Sequence, residues 1–262
     1  MSGTAVAPRS ASPPAVRWLS RARVLGTIAG LTVVFVACAL IPIGALTLFR
    51  ARRLYAAIVR VMALAILRLY GIRLVVVPHA RFPRQQVIYV SNHASTLDVF
   101  VLVALGLPRC RFFLSGFLRR KYIPLGVIAW TLGTFFTVPQ DRPDERRRIF
   151  ANAERILRHT GESVYLSPEG RRVATGQIGH FNKGAFHLAT ALHAPIVPLY
   201  FEIPRAVDPG RGFDAKPGTV TVHVLPTIDT RDWLLDDLER NTAAVRAIYV
   251  AQNLAHDRAI HG

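Results

Sequence analysis

A histidine and an aspartate, His93 and Asp98, follow the apolar run 87–91 and lie five positions apart. If that run is a strand and a helix begins near Thr96, a short loop can bring the two side chains together. A carboxylate bonded to one ring nitrogen fixes the tautomer and raises the basicity of the other nitrogen. That second nitrogen can take a proton from a hydroxyl group. The spacing therefore predicts general-base chemistry in which a substrate alcohol is the nucleophile.

The same residues also allow a purely structural interpretation. The stretch Ser95–Asp98 is S-T-L-D, which resembles a helix capping box. In that case Asp98 only caps a helix and His93 is an ordinary loop residue. Because an H-x-x-x-x-D spacing arises by chance in many chains, these residues alone leave both interpretations open.

The elements that would position this pair alternate between β-rich and helical stretches after Gly71. Alternation of this kind predicts an α/β fold, with a mostly parallel central sheet of about seven strands flanked by helices. The predicted strands are 73–78, 86–91, 110–114, 134–138, 163–167, 195–200 and 219–225. The predicted helices are 96–106, 122–131, 144–159, 181–192 and about 231–253. We assign this α/β domain to residues 72–262.

The N-terminal third has a different composition. Residues 1–22 are predicted to form a disordered basic tail, since Pro, Ser and Ala dominate its first part. Residues 23–71 are predicted to form membrane-anchoring helices, because 24–49 carries no charge and is long enough to cross a bilayer core of ~30 Å. Pro42 also allows a shallow hairpin instead of a full span. In the helical pattern of 54–70, Arg53, Arg60 and Arg68 share one narrow sector, which fits either an interfacial helix or a core-packing helix.

Composition narrows the class of protein. The 262 residues are 51% hydrophobic, yet the formal net charge is +17. Basic nucleic-acid binders are usually less apolar, whereas a protein on an anionic membrane can be both apolar and basic. The two cysteines and the scattered histidines indicate neither a disulfide framework nor a metal site. A G-x-S-x-G element is absent from the sequence, which disfavours a lipase.

Four further sequence blocks accompany the N-H-x-S-x-x-D element, in a fixed order. They are 121–142, 166–172 (LSPEGRR), 179–189 (GHFNKGAFHLA) and 194–200 (APIVPLY). Together these blocks resemble the glycerolipid acyltransferase family over roughly residues 85–225, with a two-helix membrane element before them. The resemblance implies the α/β domain already predicted, with its active site facing the membrane surface.

The resemblance also implies residue roles. His93 would be the general base and Asp98 its orienting partner. Substrate binding would fall to Asn92, Ser95, Arg142, Glu169, Gly170 and Arg172. Arg142 and Arg172 would pair with the acceptor's phosphate, and backbone amides near His93 or Gly170 would stabilise an oxyanion. Taken alone, Pro168-Glu169-Gly170 is also a competent turn, and the run 146–148 is interpreted as a solvated helix face.

Two departures from the family pattern flank the implied acceptor pocket. Arg171 and Val173 stand where the third block commonly has threonine and serine, and the second block ends in 135–142 (FFTVPQDR) instead of F-I-D-R. Acyl transfer is therefore a firmer implication than the identity of the acceptor.

The expected activity is that of a membrane-bound O-acyltransferase. It would move a fatty acyl group from an acyl thioester to the free hydroxyl of a lysophospholipid, with 1-acylglycerol 3-phosphate giving phosphatidic acid as the first choice. Acyl-CoA or acyl-carrier protein would be the co-substrate, with no cofactor or metal. Anionic membrane lipids are expected partners and nucleic acid is not. The expected location is a bacterial inner membrane with the site on its cytoplasmic face. Alternatives are another acceptor, such as a lyso-ornithine lipid, or a nucleic-acid- or lipid-binding protein without catalysis.

Overall fold

The computed structural model describes residues 14–78, 82–93, 95–173, 177–209 and 214–261. Its helices are α1 (Pro14–Leu46), α2 (Arg52–Leu69), α3 (Asp98–Leu105), α4 (Gly116–Lys121), α5 (Ile123–Thr131), α6 (Pro143–Thr160), α7 (Gly184–Leu192) and α8 (Leu238–His261). Its strands are β1 (Ile72–Val77), β2 (Ile88–Ser91), β3 (Cys110–Ser115), β4 (Phe135–Thr137), β5 (Ser163–Leu166), β6 (Ile196–Glu202) and β7 (Gly218–Val224).

The strands form one seven-stranded sheet in the order β1-β7-β6-β2-β5-β3-β4. All neighbours pair in parallel except β6 and β7, which pair antiparallel. The central strands β2 and β5 are buried at every position, so their residues are mostly apolar and do not alternate, and the buried serines Ser91 and Ser163 are hydrogen-bonded. The predicted α/β fold with a mostly parallel sheet is confirmed.

Helices cover both faces of the sheet. One apolar cluster joins the sheet to α1, α2, α3 and α5, and a second joins its other face to α6, α7 and α8. Helix α6 shows how the sequence defines an element. It begins with Pro143, has Asp144 in its first turn, and ends before Gly161, whose φ of 60° suits a left-handed cap.

The N-terminal helices differ in part from expectation. Residues 1–13 of the predicted tail lie outside the described residues, and α1 already begins at Pro14. Within the described chain, one helical segment, Arg21–Leu46, is long and apolar enough to cross a bilayer. Helix α2 packs against α3 and β1 and buries its apolar face in the domain. The core-packing interpretation of this segment therefore describes α2, whose arginines occupy the remaining face.

Several predicted boundaries shift by a few residues, and one helix was not predicted. Helix α3 begins at Asp98 and not at Thr96, because 96–97 form a turn in which Ser95 Oγ accepts the Leu97 N–H group at 2.8 Å. Helix α7 begins at Gly184 and not at 181, because the preceding segment is bonded to the loop after β5. The short helix α4 separates β3 from α5.

Candidate active site

A cavity of about 780 Å³ opens where the adjacent parallel strands β2, β5, β3 and β4 reach their carboxyl ends. Crevices at this edge of a parallel sheet are the usual place for ligands in α/β proteins. The loop after β2 brings His93 into the cavity wall, and the loop after β5 brings in Glu169 and Gly170. Residues from sequence blocks that lie far apart therefore meet in one wall.

The structure brings His93 and Asp98 into direct contact. The distance from His93 Nδ1 to Asp98 Oδ2 is 2.6 Å. The Asp98 side chain is 4% exposed, whereas the His93 ring is 32% exposed. Because Nδ1 is engaged by the carboxylate, Nε2 is the ring nitrogen left for a ligand. The geometry required of a base with an orienting acid is present.

Asp98 also serves the start of α3. Its Oδ2 atom accepts the Ser95 N–H group at 3.1 Å, in addition to its contact with His93. Ser95 is buried, and its hydroxyl donates to the buried carboxylate of Asp208. The capping interpretation and the general-base interpretation therefore describe the same side chain. The hydroxyl of Ser95, which was expected to bind substrate, is hydrogen-bonded to Asp208 and to the Leu97 N–H group.

Glu169 clamps the loop that carries the histidine. Its Oε2 atom accepts the backbone N–H group of His93 at 2.6 Å, and its Oε1 atom accepts that of Gly179 at 2.7 Å. The residue is 5% exposed. Burial raises the pKa of Glu169, and the two amide hydrogen bonds offset only part of that rise. Both carboxylate oxygens are thus engaged by backbone amides, and the expected role of Glu169 as a head-group ligand stays a prediction.

Gly170 occupies a tight turn. Its φ is +66°, and a Cβ atom there would lie 2.9 Å from Asn182 Nδ2, so a larger residue would be strained. Its N–H group donates to Ser167 O at 3.2 Å. The oxyanion donors were expected among backbone amides near His93 or Gly170, and the amides of these two residues themselves are bonded to protein acceptors.

Asn92 joins the end of β2 to β6 through its side chain. Its side chain donates to Phe201 O at 3.0 Å and accepts from Phe201 N at 2.7 Å. It thereby continues the pairing with β6 after β2 has ended, and it is buried. These bonds fix the base of the His93 loop, and the expected contact of Asn92 with substrate stays a prediction.

Neither of the two arginines expected to bind phosphate is among the described residues that line the cavity. Arg142 is exposed and pairs with Glu145 at 3.5 Å, while Arg172 donates to Thr96 Oγ1 at 2.6 Å. The cavity wall, as far as the described residues form it, contains Arg146 and Arg171 instead. The sequence held a signal for Arg171, which replaces the family's usual threonine. Arg146 lies within a run of three arginines, so its inward position was not predicted.

The cavity combines positively charged side chains with an apolar wall. Its two carboxylates, on Asp98 and Glu169, are buried and accept backbone amide hydrogen bonds. Arg146 and Arg171 supply positive charge, and Arg146 is held by a 3.0 Å hydrogen bond to Val138 O. Part of the wall is apolar and is formed by Val99, Leu102, Phe113, Leu114 and Phe150.

Comparison with known proteins defines the class. The family model for the acyltransferase domain matches residues 73–202. A 1-acyl-sn-glycerol-3-phosphate acyltransferase of Limnanthes alba is 29% identical over 184 residues, which cover 70% of this chain. The alpha form from Homo sapiens is 30% identical over 193 residues, covering 72% of this chain and 66% of the relative. The chain belongs to the glycerolipid acyltransferase family, as the motif blocks predicted.

The fold has a solved counterpart. The crystal structure of the 1-acyl-sn-glycerophosphate acyltransferase PlsC from Thermotoga maritima superposes with a TM-score of 0.67 at 19% identity. The superposition covers 88% of this chain and 97% of that one.

The sequence match to the Limnanthes alba relative spans 64% of that relative's length.

Proposed function

We propose that the protein transfers a fatty acyl group from an acyl thioester to the free hydroxyl of a lysophospholipid. The proposed acceptor is 1-acylglycerol 3-phosphate and the product is phosphatidic acid. The observation that carries this proposal is the 2.6 Å contact between His93 and Asp98 in a cavity that also contains Arg146 and Arg171. The names of the relatives support the choice of acceptor.

In this mechanism His93 is the general base. The acceptor hydroxyl donates its proton to Nε2 while its oxygen attacks the thioester carbonyl carbon, so that a C–O bond forms and a tetrahedral oxyanion results. The imidazolium is stabilised by Asp98, whose carboxylate bonds Nδ1. The C–S bond then breaks, and the leaving thiolate takes the proton back from Nε2. The ester and a free thiol are formed, and the enzyme returns to its starting state.

Arg146 and Arg171 would hold the acceptor's phosphate. A guanidinium group forms charge-assisted and often bidentate hydrogen bonds with phosphate oxygens. Fixing the phosphate in the wall that contains His93 would direct the free hydroxyl toward Nε2, and such positioning is a large part of catalysis between two bound substrates. This assignment replaces Arg142 and Arg172, which lie outside the described cavity wall.

The charge of the cavity favours a phosphate acceptor over a lyso-ornithine lipid. The phosphate of lysophosphatidate brings only negative charge to Arg146 and Arg171, whereas an ornithine head group brings a carboxylate together with an ammonium ion. The carboxylates of Asp98 and Glu169 are buried and bonded to backbone amides, so they are poorly placed to pair with that ammonium ion.

Acyl-CoA or acyl-carrier protein is the proposed donor. We place the protein at a bacterial inner membrane through α1, with its site on the cytoplasmic face, and this placement rests on the apolar segment Arg21–Leu46.

The test is an acylation assay with the purified full chain in detergent. Each donor is offered with lysophosphatidate, a lyso-ornithine lipid or glycerol 3-phosphate as acceptor. We expect transfer to lysophosphatidate, its loss in His93→Ala, and its retention in the matched variant His187→Ala, which changes an exposed histidine of α7. Transfer only to another acceptor would overturn the acceptor, and full activity in His93→Ala would overturn the mechanism. Association with lipid or nucleic acid without any turnover would favour a binding protein.

A further inference from the structure

The last helix, α8, contacts the active-site loops from outside the region that the acyltransferase family model matches, which ends at residue 202. The side chain of Arg246 on α8 is half-buried. Its Nε atom donates to Gly179 O at 2.7 Å, and its Nη2 atom donates to Ile178 O at 2.9 Å. Because a guanidinium group is planar and rigid, the two hydrogen bonds fix the positions of both carbonyl groups. The catalytic mechanism proposed above gives Arg246 no role.

The peptide group between Ile178 and Gly179 lies between Arg246 and Glu169. Its carbonyl oxygen accepts from Arg246, while its N–H group donates to Glu169 Oε1 at 2.7 Å. This peptide bond is trans, so its C=O and N–H groups point in opposite directions from one planar unit. Any tilt of the plane at Arg246 therefore redirects the N–H group that Glu169 accepts.

Glu169 continues this connection to the catalytic histidine. Its other oxygen, Oε2, accepts the backbone N–H group of His93 at 2.6 Å, and the side chain is buried. Gly179 allows the close approach, since a Cβ atom there would lie 3.2 Å from Glu169 Oε1 and 2.9 Å from Val173 Cγ2. Consecutive hydrogen bonds thus lead from α8 to the backbone of the residue that takes the proton, and such chains strengthen each member.

A second contact of α8 provides a comparison. Tyr249, three positions after Arg246, donates its hydroxyl to Val90 O at 2.8 Å. This hydrogen bond is also buried and also ties α8 to the domain, but it ends on strand β2 and not on the peptide that Glu169 holds. Loss of the Tyr249 hydroxyl therefore shows what a purely structural contact of this helix contributes.

We infer that Arg246 is a positioning residue for the general base, which acts through the 178–179 peptide and Glu169 on the backbone of His93. Arg246 is not among the described residues that line the cavity, so its effect on the reaction is indirect. The kinetic consequence rests on the proposed function, whereas the connection between Arg246 and the His93 loop does not.

The connection is tested without turnover, by hydrogen exchange of the His93 amide in the full chain. Arg246→Ala should speed this exchange by about tenfold, because Glu169 holds the amide less firmly once the peptide plane can tilt. Tyr249→Phe removes one buried hydrogen bond from the same helix and should change the rate by less than about threefold. Equal acceleration in the two variants, or none in Arg246→Ala, would overturn the inference, whatever the acylation assay shows.

The kinetic consequence is measured by steady-state acyl transfer to lysophosphatidate. In Arg246→Ala, kcat should fall by about tenfold while KM stays within about threefold, because the base is displaced and the acceptor's binding residues are unchanged. Tyr249→Phe should keep kcat within about twofold, although urea should unfold it more readily. A change confined to KM, or an equal loss of kcat in both variants, would refute the positioning role. Absence of transfer by the unmodified protein would instead refute the proposed function, and hydrogen exchange would still decide the connection.

A double variant separates this route from any other. In Glu169→Gln the hold on His93 is already weakened, so adding Arg246→Ala should lower kcat by less than about twofold more. A further loss of about tenfold would show that Arg246 acts independently of Glu169, contrary to the inference. If Arg246→Ala does not fold, Arg246→Lys takes its place in each comparison, since one ammonium group cannot hold both carbonyls in a fixed plane. Original values of kcat and of His93 exchange in Arg246→Lys would count against the inference in the same way.

Discussion

Replacement of Asp98 by asparagine separates the two roles that this side chain has in the structure. Its Oδ2 atom accepts from His93 Nδ1 at 2.6 Å and from Ser95 N at 3.1 Å. An asparagine oxygen in the same place can keep both hydrogen bonds but has no charge. If the amide nitrogen takes that place instead, the ring must accept at Nδ1, and the proton moves to Nε2. In either case the nitrogen that faces the substrate becomes a poorer base.

The expected effects on catalysis and on stability differ widely. A positioned general base contributes about 10²–10⁴ in rate, which corresponds to about 2.7–5.4 kcal/mol of activation free energy. Asparagine keeps an oxygen that can accept the Ser95 N–H group, so the free energy of unfolding should change by only about 1 kcal/mol. We therefore expect kcat of Asp98→Asn to fall by about 10²–10⁴ while KM and stability stay close to their original values.

The assay is steady-state acyl transfer to lysophosphatidate, paired with urea denaturation of the same preparations. Ser95→Ala is the matched control, because it removes the hydroxyl that accepts Leu97 N–H and leaves the Asp98 carboxylate in place. We expect this control to lose stability and to keep more of its kcat than Asp98→Asn does. If kcat of Asp98→Asn fell by less than about fivefold, the carboxylate would be a cap alone and the general-base argument would fail.

Three other contacts lead to measurable outcomes. Glu169→Gln should lose about 10- to 100-fold in kcat with little change in KM. The backbone amide of His93 or of Gly179 would then face an NH₂ group and lose a hydrogen bond to a charged acceptor, which is worth about 1.5–3 kcal/mol. A change confined to KM would indicate that Glu169 binds substrate. Arg171→Ala should lower kcat/KM for lysophosphatidate by about 10- to 100-fold, whereas Arg142→Ala should leave it within about threefold, and the reverse order would restore the original assignment. Glu162→Gln should lower the free energy of unfolding at pH 7 by about 1.5–3 kcal/mol, because Arg111 Nε at 2.6 Å and Arg52 at 3.1 Å lose their anionic partner. Burial alone would raise the pKa of Glu162, but these two arginines outweigh it and hold the pKa below its ordinary value. The stabilisation by these ion pairs is therefore complete above the unfolded-state pKa of Glu162 and is lost as pH falls through its lower folded-state pKa. Urea denaturation should show the difference in unfolding free energy between the original protein and Glu162→Gln shrinking below about pH 4. A difference that stays constant with pH would contradict the ion-pair explanation.

The elements of the sheet were predictable because local patterns specify them. Strands β2 and β5 lie between neighbours and under helices, and burial on both faces favoured apolar residues at most of their positions. The ends of α6 carried proline, acidic and glycine signals that depend only on adjacent residues. The contact of His93 with Asp98 could also be predicted, because the two residues are five positions apart and are joined by one short loop.

The partners of the site residues depend on contacts that no local pattern records. Glu169 meets the amide of His93 across 76 positions, and Asn92 meets Phe201 across 109. The choice between Arg142 and Arg146 depends on where α6 begins: Arg142 lies just before the helix, and Arg146 lies one turn further on. A run of basic residues does not show which of its members faces the cavity.

The single oxygen shared by His93 Nδ1 and Ser95 N ties the reactive ring to the first turn of α3. Fraying of one helical turn costs far less free energy than melting a buried sheet. Because that turn holds the acid, its opening would carry the carboxylate away from the ring while the rest of the molecule stays folded. On heating, turnover would cease before the circular dichroism spectrum changes, and the working lifetime of the enzyme would be set by one turn of helix, not by its core.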